Sequence, residues 1–185
     1  MLKIEKCDMQ SYEKVRLFYH SLIDATKNSS TYYIGWEKDI YPSPEFLQES
    51  IAHGELYIGF EHDEIVAAMV LNHEYNESYE KYQWQTQADK EEIIIIHALG
   101  VHPDHTGKGY AKQLVNFAIH HAKDDGCKAI RLDVLKGNVP AEKLYTSMGF
   151  VHLHTLPMYY EDTGWTDYEL YEHVLCNNEY EDINN

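Results

Sequence analysis

A glycine-containing segment from Val101 to Ala111 has the residue types and spacing of an anion-binding turn. It reads Val-His-Pro-Asp-His-Thr-Gly-Lys-Gly-Tyr-Ala, with Gly107 and Gly109 on either side of Lys108. Glycines let the backbone turn tightly and leave its N–H groups uncovered by side chains. N–H groups at the start of a helix attract anions. The segment therefore predicts a binding site for a phosphate or pyrophosphate, and the alternative is a glycine turn that only caps a helix.

The flanking residues predict that this segment joins a buried strand to a helix. A β-branched run from Ile93 to Ile96 leads into the segment, as in a strand buried on both faces. After the glycines, apolar residues recur on one face of a predicted α-helix, at Ala111, Leu114, Val115, Ala118, Ile119 and Ala122. The segment does not match a Walker loop, because Gly109 rather than Ser or Thr follows Lys108. It does not match the dinucleotide-binding pattern either, because Lys112 occupies the position of the third glycine.

A strand–turn–helix segment of this kind resembles the central motif of the GCN5-related N-acetyltransferase (GNAT) superfamily, Gln/Arg-x-x-Gly-x-Gly/Ala. Residues 106–111 match it except at the first position, where Thr106 replaces Gln or Arg. The superfamily's second motif follows downstream as Asn138-x-x-Ala141-x-x-x-Tyr145-x-x-x-Gly149-Phe150. Two motifs in the correct order lead us to expect the GNAT acyl-CoA N-acyltransferase fold.

The resemblance implies acetyl-CoA as the co-substrate, with its pantetheine arm entering between two central strands that splay apart. Backbone groups of Leu99, Gly100 and Val101 would pair with the pantetheine amides as an added strand does. The pyrophosphate would bind to Thr106, Gly107, Lys108, Gly109, Tyr110 and Ala111. Asn138 would bind the cofactor arm, and Lys143 completes the predicted cofactor-binding set. We predict no metal site, because His152 and His154 share a strand face without a clear third ligand.

Acetyl transfer to an amine needs a base for the amine and an acid for the leaving thiolate. His97 is the predicted base, since an imidazole titrates near neutrality and some superfamily members carry a histidine in a similar His-x-Leu-x-Val setting. In a regular strand its side chain would share a face with Leu99, whose N–H could hold the thioester oxygen. A packed core histidine, or Glu91 or Glu92 acting through water, are the alternatives. Tyr145 is the predicted general acid.

The charge of the sequence argues against a nucleic-acid partner and for a cationic substrate. The formal net charge is −16, and nucleic-acid binding normally leaves a basic stripe. From His105 to Tyr145, however, seven lysines and arginines face four acids, which makes this window +3 and the rest −19. A basic segment in an acidic body suits an anionic cofactor beside a cationic substrate, and the alternative is that the acidic surface only confers solubility.

The remaining composition indicates a protein of the cytoplasm. The three cysteines are odd in number and far apart, so we predict neither a disulfide framework nor a zinc site. No apolar run approaches the length of a membrane span, and the first residues have no hydrophobic signal core. We expect no membrane association.

The predicted fold class is α/β (α+β), with a mixed sheet of about six to seven strands flanked by about four helices. The expected element order is β-α-α-β-β-β-α-β-α-β-β, as in the superfamily. We expect a single domain over residues 1–176 and a disordered acidic tail over 177–185. Residues 28–42 and 72–90 are expected to shape the acceptor pocket, the second as a hairpin tip or mobile loop.

These features together predict an N-acetyltransferase that moves the acetyl group of acetyl-CoA to a primary amine of a small molecule, polyamine-like or aromatic. The amine would attack directly in a ternary complex. The alternatives are a protein or peptide N-acetyltransferase and a non-catalytic acyl-CoA-binding sensor. A homodimer is a further expectation.

Overall fold

The structure is a computed structural model that describes residues 1–27 and 34–175, and its centre is one seven-stranded mixed sheet. The strands are β1 Lys3–Lys6, β2 Leu56–Glu61, β3 Glu64–Asn72, β4 Ile93–Val101, β5 Ala129–Leu135, β6 Val151–Tyr160 and β7 Gly164–Val174. They lie in the order β1-β2-β3-β4-β5-β7-β6. The β4–β5 pair is parallel, and every other neighbouring pair described is antiparallel. The predicted mixed sheet is confirmed.

Four α-helices occur in the described part of the chain: α1 Tyr12–Thr26, α2 Pro44–Ala52, α3 Tyr110–Asp124 and α4 Val139–Ser147. The predicted order of strands and helices is confirmed. One apolar cluster packs α3 and α4 against the sheet through residues such as Leu114 and Tyr145. Another packs α1 and α2 against the opposite face through residues such as Phe18 and Leu47. None of the described helices has the length and apolarity needed to cross a membrane.

Local capping explains where two of the helices begin. The Ser43 side chain accepts a hydrogen bond from the Phe46 N–H at 3.1 Å, and Pro44 occupies the first helical turn, as the sequence predicts for α2. An aspartate ahead of the apolar stripe of α1 predicts an N-cap at Asp8, but its side chain accepts from the Ser11 N–H at 2.9 Å and caps a 3₁₀ turn that precedes the helix. The helix itself therefore begins later than predicted, at Tyr12.

The two central strands separate soon after they pair. β4 and β5 are in register only at Ile93–Ile95 and Ala129–Arg131. Beyond that point β4 stays with β3, while β5 pairs with β7 along its whole length. The splayed strands expected from the superfamily resemblance are therefore present, and they open a gap inside the sheet.

The connection between β3 and β4 packs against the sheet. Tyr79 and Trp84 are 2% and 7% exposed, because they join β4, β6 and β7 residues in a third apolar cluster. The Arg131 guanidinium lies 4.3 Å from the Trp84 ring centre, donates to the Thr86 carbonyl at 2.7 Å and pairs with Glu172 at 2.9 Å. The expectation of a mobile loop over 72–90 is wrong at these residues, because aromatic burial and the ion pair fix the segment against the sheet.

The last hairpin is longer than the sequence predicts. The sequence pattern predicts a last strand from Tyr168, but β7 begins at Gly164, because β6 and β7 pair up to the turn, where Tyr160 faces Gly164. Other expectations lie outside the described residues: the aromatic Tyr32 and Tyr33, and the domain end and acidic tail over 176–185.

Candidate functional site

A cavity of about 330 Å³ lies where β4 and β5 separate. One wall consists of β4 residues from Ile96 to Leu99. Facing it are residues of β5 and α4, namely Asp133, Val134, Leu135, Asn138, Ala141 and Tyr145. The outer end is covered by the segment before α2, by the start of the β3–β4 connection, and by the β6–β7 hairpin. The cavity thus brings together both predicted catalytic residues and segments expected to shape the acceptor pocket.

A β-bulge in β4 decides which side chains face this cavity. Ala98 has a φ of +48°, and the pairing with β3 slips by one residue at this point. An extra residue reverses the alternation of side chains beyond it. His97 contacts the Phe46 ring on the α2 side, whereas Leu99 packs against the cluster that contains α3. The prediction that His97 and Leu99 share a face is wrong, because the strand is not regular between them.

His97 lines the cavity as a neutral side chain. Its Nε2 lies 2.9 Å from the carbonyl oxygen of Glu74, which can only accept, so Nε2 carries the hydrogen and Nδ1 is left as the acceptor. Burial lowers the pKa of His97 to about 4. It is therefore a weaker base than an imidazole that titrates near neutrality, and its role as the base stays a prediction.

Tyr145 reaches the cavity from α4. Its side chain is 6% exposed, and its ring packs edge-on against Phe150 with 5.4 Å between ring centres. Burial, together with the negative charge of Asp133, raises the pKa of Tyr145. The phenol therefore keeps its proton across the physiological range, as a general acid must.

The two glutamates that competed for the role of base lie elsewhere. Glu91 and Glu92 precede the start of β4, at the opposite end of the strand from the bulge, and neither lines the cavity. Glu92 instead pairs with Lys128 at 2.7 Å. This placement is at variance with their prediction as alternative bases.

The glycine turn adopts the backbone that its glycines allow. A 3₁₀ turn follows β4, and Gly107 and Gly109 have φ values of +78° and +76° immediately before α3. A Cβ at either position would meet no atom within 4 Å, so the turn is open to a ligand. Thr106, which replaces the usual Gln or Arg, donates from its Oγ1 to the Pro103 carbonyl at 2.8 Å and bonds within the turn.

Lys108 is paired with an acid that sequence analysis did not associate with the turn. Its Nζ lies 2.9 and 2.8 Å from the two carboxylate oxygens of Glu61, which also binds the Tyr110 hydroxyl and His105 Nδ1. Hydrogen bonds from Lys108 and Tyr110 lower the pKa of Glu61 to about 2. Glu61 ends the distant strand β2, so nothing local in the sequence signals the contact.

The basic His105–Tyr145 window is partly neutralised by acids from other parts of the chain. Cations of the His105–Tyr145 window pair with acids outside it, as Lys108–Glu61, Lys128–Glu92, Arg131–Glu172 and Lys136–Asp167. A charge count along the sequence missed these pairs because the partners come from other elements of the fold. The predicted anion binding at the turn would therefore depend mainly on backbone N–H groups.

Three further residues of the predicted cofactor set have distinct surroundings. Asn138 lines the cavity, and its Oδ1 caps α4 by accepting from the Ala141 N–H at 3.3 Å. Lys143 is exposed on α4 and does not line the cavity. At Gly100 a Cβ would lie 2.4 Å from Leu22, so this glycine lets α1 pack closely on β4. Their contacts with a cofactor stay predictions.

The cavity also contains an aspartate that sequence analysis did not propose for a role. Asp133, in β5, accepts hydrogen bonds on Oδ2 from the hydroxyls of Tyr79 at 2.7 Å and Tyr160 at 2.9 Å. Burial raises the pKa of its carboxyl, and the nearby charge of Asp162 adds to the effect. The alternation of apolar and polar residues over 129–134 predicts a strand that contains Asp133, but only the fold brings the two tyrosines to it.

The histidines first considered as metal ligands have other partners. His152 pairs with Glu169, and His154 stacks on Tyr82 with 5.2 Å between ring centres. Within residues 1–27 and 34–175, no group of three or more His, Cys, Asp or Glu side chains is placed to hold a metal ion.

Comparison with known proteins agrees with this arrangement. The family model described as "Acetyltransferase (GNAT) family" matches residues 18–150. The chain belongs to this family. Among curated proteins, it is 33% identical to mycothiol acetyltransferase of Thermomonospora curvata over 78 residues, which are 42% of this chain and 26% of that protein. It is 30% identical to streptothricin acetyltransferase of Escherichia coli over 115 residues, which are 62% of this chain and 55% of that protein.

The chain thus spans between about a quarter and about half of the curated relatives named above. Among solved structures, it is similar to yncA of Salmonella typhimurium, an acetyltransferase structure with its cofactor acetyl-CoA. The two superimpose with a TM-score of 0.66 at 16% identity, over 100% of this chain and 99% of the other. This similarity confirms the predicted GNAT fold.

Proposed function

We propose that the protein transfers the acetyl group of acetyl-CoA to a primary amine of a small molecule, by direct attack in a ternary complex. The observation that carries this proposal is the cavity between β4 and β5, where Tyr145, the unpaired end of β4 and an aromatic, acidic wall meet. The structural neighbour that holds acetyl-CoA and the relative named streptothricin acetyltransferase support it.

The described residues fit the co-substrate. The part of β4 beyond Ile95 has no partner in β5, so its backbone groups are available to the amides of a pantetheine arm. The open turn at Gly107 and Gly109 lies between the end of β4 and the start of α3, where N–H groups and the helix dipole favour a pyrophosphate. Asn138 and Leu99 line the cavity.

The reaction forms a C–N bond from the amine to the thioester carbonyl carbon and breaks the C–S bond. We assign Tyr145 as the acid that gives its hydroxyl proton to the leaving sulfur, since its raised pKa keeps that proton available. The backbone N–H of Leu99 is the proposed donor to the carbonyl oxygen as negative charge develops there. The products are an N-acetylated amine and free CoA thiol.

His97 remains the proposed acceptor for the proton lost by the amine. With a pKa of about 4, its Nδ1 is free of a proton at neutral pH, but it is a weak base for an alkylammonium ion. It can take the proton that becomes acidic once the nitrogen bonds to the carbonyl carbon. The attacking nitrogen must therefore be neutral, so an amine that binds as the ammonium ion first loses a proton to solvent.

The experiment that tests this function measures CoA thiol release from acetyl-CoA with separate pools of polyamines, arylalkylamines, aminoglycosides and short peptides. Release with a small-amine pool supports the proposal. Release with peptides alone would favour a protein or peptide N-acetyltransferase. Binding of acetyl-CoA with no release in any pool would favour the acyl-CoA-binding sensor.

A further inference from the structure

The charge on the cavity wall points to a cationic acceptor. Of the described residues that line the cavity, three are carboxylic acids and none is lysine or arginine. Both oxygens of Glu74 lie 2.7 Å from Lys90 Nζ, so its charge is balanced. Burial raises the pKa of Asp162, and the backbone N–H groups of Asp162 and Thr163 partly offset that effect. Neither Asp162 nor Asp133 has a cationic partner in the described chain.

Asp133 is held in a fixed orientation with one oxygen unused. The Tyr79 and Tyr160 hydroxyls both donate to Oδ2, and Oδ1 accepts no hydrogen bond from any residue of 1–27 or 34–175. Tyr79 is 2% exposed and therefore cannot swing away. Oδ1 is the oxygen available to a molecule in the cavity. A half-buried carboxylate without a cation is costly, and an ammonium group at Oδ1 would relieve that cost.

The other walls suit the carbon skeleton of an amine. The aromatic residues that line the cavity are Trp36, Tyr41, Phe46, Tyr75, Tyr160 and Tyr168. Aromatic faces attract an ammonium group and also pack against methylene chains or a second ring. An acid among aromatic rings is therefore a complementary surface for an alkyl- or arylalkylammonium ion.

We propose that Asp133 binds the ammonium group of the acceptor, and that the acceptor is an alkyl- or arylalkylamine without a carboxylate group. This inference rests on the proposed function and narrows its substrate class. An amino acid would bring a second negative charge beside Asp133 and Asp162, in a cavity whose described walls hold no lysine or arginine. The unpaired carboxylate would oppose its binding.

Matched pairs of amines that differ only by a carboxylate test the substrate class. Initial rates of thiol release give kcat/KM for cadaverine and L-lysine, and for tyramine and L-tyrosine. We expect at least about a tenfold preference for the amine without the carboxylate in each pair, comparable to a hydrogen bond to a charged group. Equal kcat/KM values within both pairs, or a preference for the amino acids, would overturn the proposal.

An Asp133→Asn variant tests the residue. The amide oxygen still accepts from the tyrosines, but the charge is lost, so we expect KM for cadaverine to rise about tenfold or more while KM for acetyl-CoA is unchanged. Asp167→Asn is the matched control, because Asp167 pairs with Lys136 away from the cavity. An unchanged KM for cadaverine in folded Asp133→Asn protein would remove Asp133 from acceptor binding.

Calorimetric titration of cadaverine and L-lysine into the protein saturated with CoA separates this proposal from the proposed function. If no amine supports thiol release but cadaverine binds the parent protein and not Asp133→Asn, the acceptor site stands and the transferase function fails. If thiol is released while cadaverine and L-lysine bind equally, the function stands and the acceptor site is refuted.

Discussion

Replacing Glu172 with glutamine is expected to destabilise the protein and to loosen the cover of the cavity. Glu172 is fully buried, accepts from Arg131 Nε at 2.9 Å and from the Thr86 N–H at 3.2 Å, and its loss leaves Arg131 charged and 6% exposed. Breaking a buried pair costs about 3–5 kcal/mol. Arg131 still contacts the Thr86 carbonyl and the Trp84 ring. We therefore expect the free energy of unfolding to fall by about 3 kcal/mol, near the lower end of that range.

Urea unfolding followed by circular dichroism measures this loss, and the free energy extrapolated to water gives its size. The control is the double variant Arg131→Met with Glu172→Leu, which removes both charges and keeps the volume apolar. If an uncompensated buried charge is the cause, the double variant is more stable than Glu172→Gln. A double variant that is less stable than Glu172→Gln would refute this reasoning and show that the pair itself stabilises the fold.

Three further predictions concern the site. Tyr145→Phe should lower kcat by about 10²- to 10⁴-fold in steady-state assays and leave acetyl-CoA binding intact. The control Tyr159→Phe, outside the cavity, should leave kcat unchanged. Equal kcat values for the two variants would exclude Tyr145 as the acid. Because the pKa of His97 is lowered to about 4, its imidazole stays neutral from pH 8 to 5.5, and the rate constant for neutral amine should be flat over that range. His97→Gln should lower that rate constant by the same factor at every pH in this range. If the parent protein shows an inflection near pH 6.5 that the variant lacks, the imidazole titrates in this range and the prediction is wrong. Gly109→Ala, at a φ of +76°, should destabilise the protein by about 1–2 kcal/mol in urea unfolding and weaken acetyl-CoA binding in calorimetry, with Gly126→Ala as the control for strain alone.

Sequence patterns predicted the elements well where local residues determine them. The glycines before α3 and the serine–proline pair at the start of α2 determine the local backbone conformation, so both helix starts could be predicted from the sequence. The order of strands and helices also followed, because each apolar pattern has its own period and its own turn residues. The resemblance of residues 106–111 and 138–150 to the family motifs added the splayed pair of strands, which periodicity alone does not contain.

Contacts between distant segments were missed. The bulge at Ala98 depends on how β3 and β4 align, so alternation along the strand assigned His97 and Leu99 to one face. Glu61 neutralises Lys108 only because β2 ends beside the glycine turn. Polar composition suggested a mobile segment over 72–90, but its aromatic residues find a buried surface that β4, β6 and β7 build together.

The short ladder between β4 and β5 divides the sheet into two half-sheets that share a hinge. One half is β1-β2-β3-β4 and the other is β5-β7-β6, and they are joined through the register pairs from Ile93–Ala129 to Ile95–Arg131. A small rotation about this hinge would change the width of the cavity without breaking any other strand pair. Arg131 occupies the last pair, so the ion pair that holds the 72–90 segment also lies at the pivot. With such a rotation, the clearance available to an acceptor would depend on a charge pair whose residues do not line the cavity.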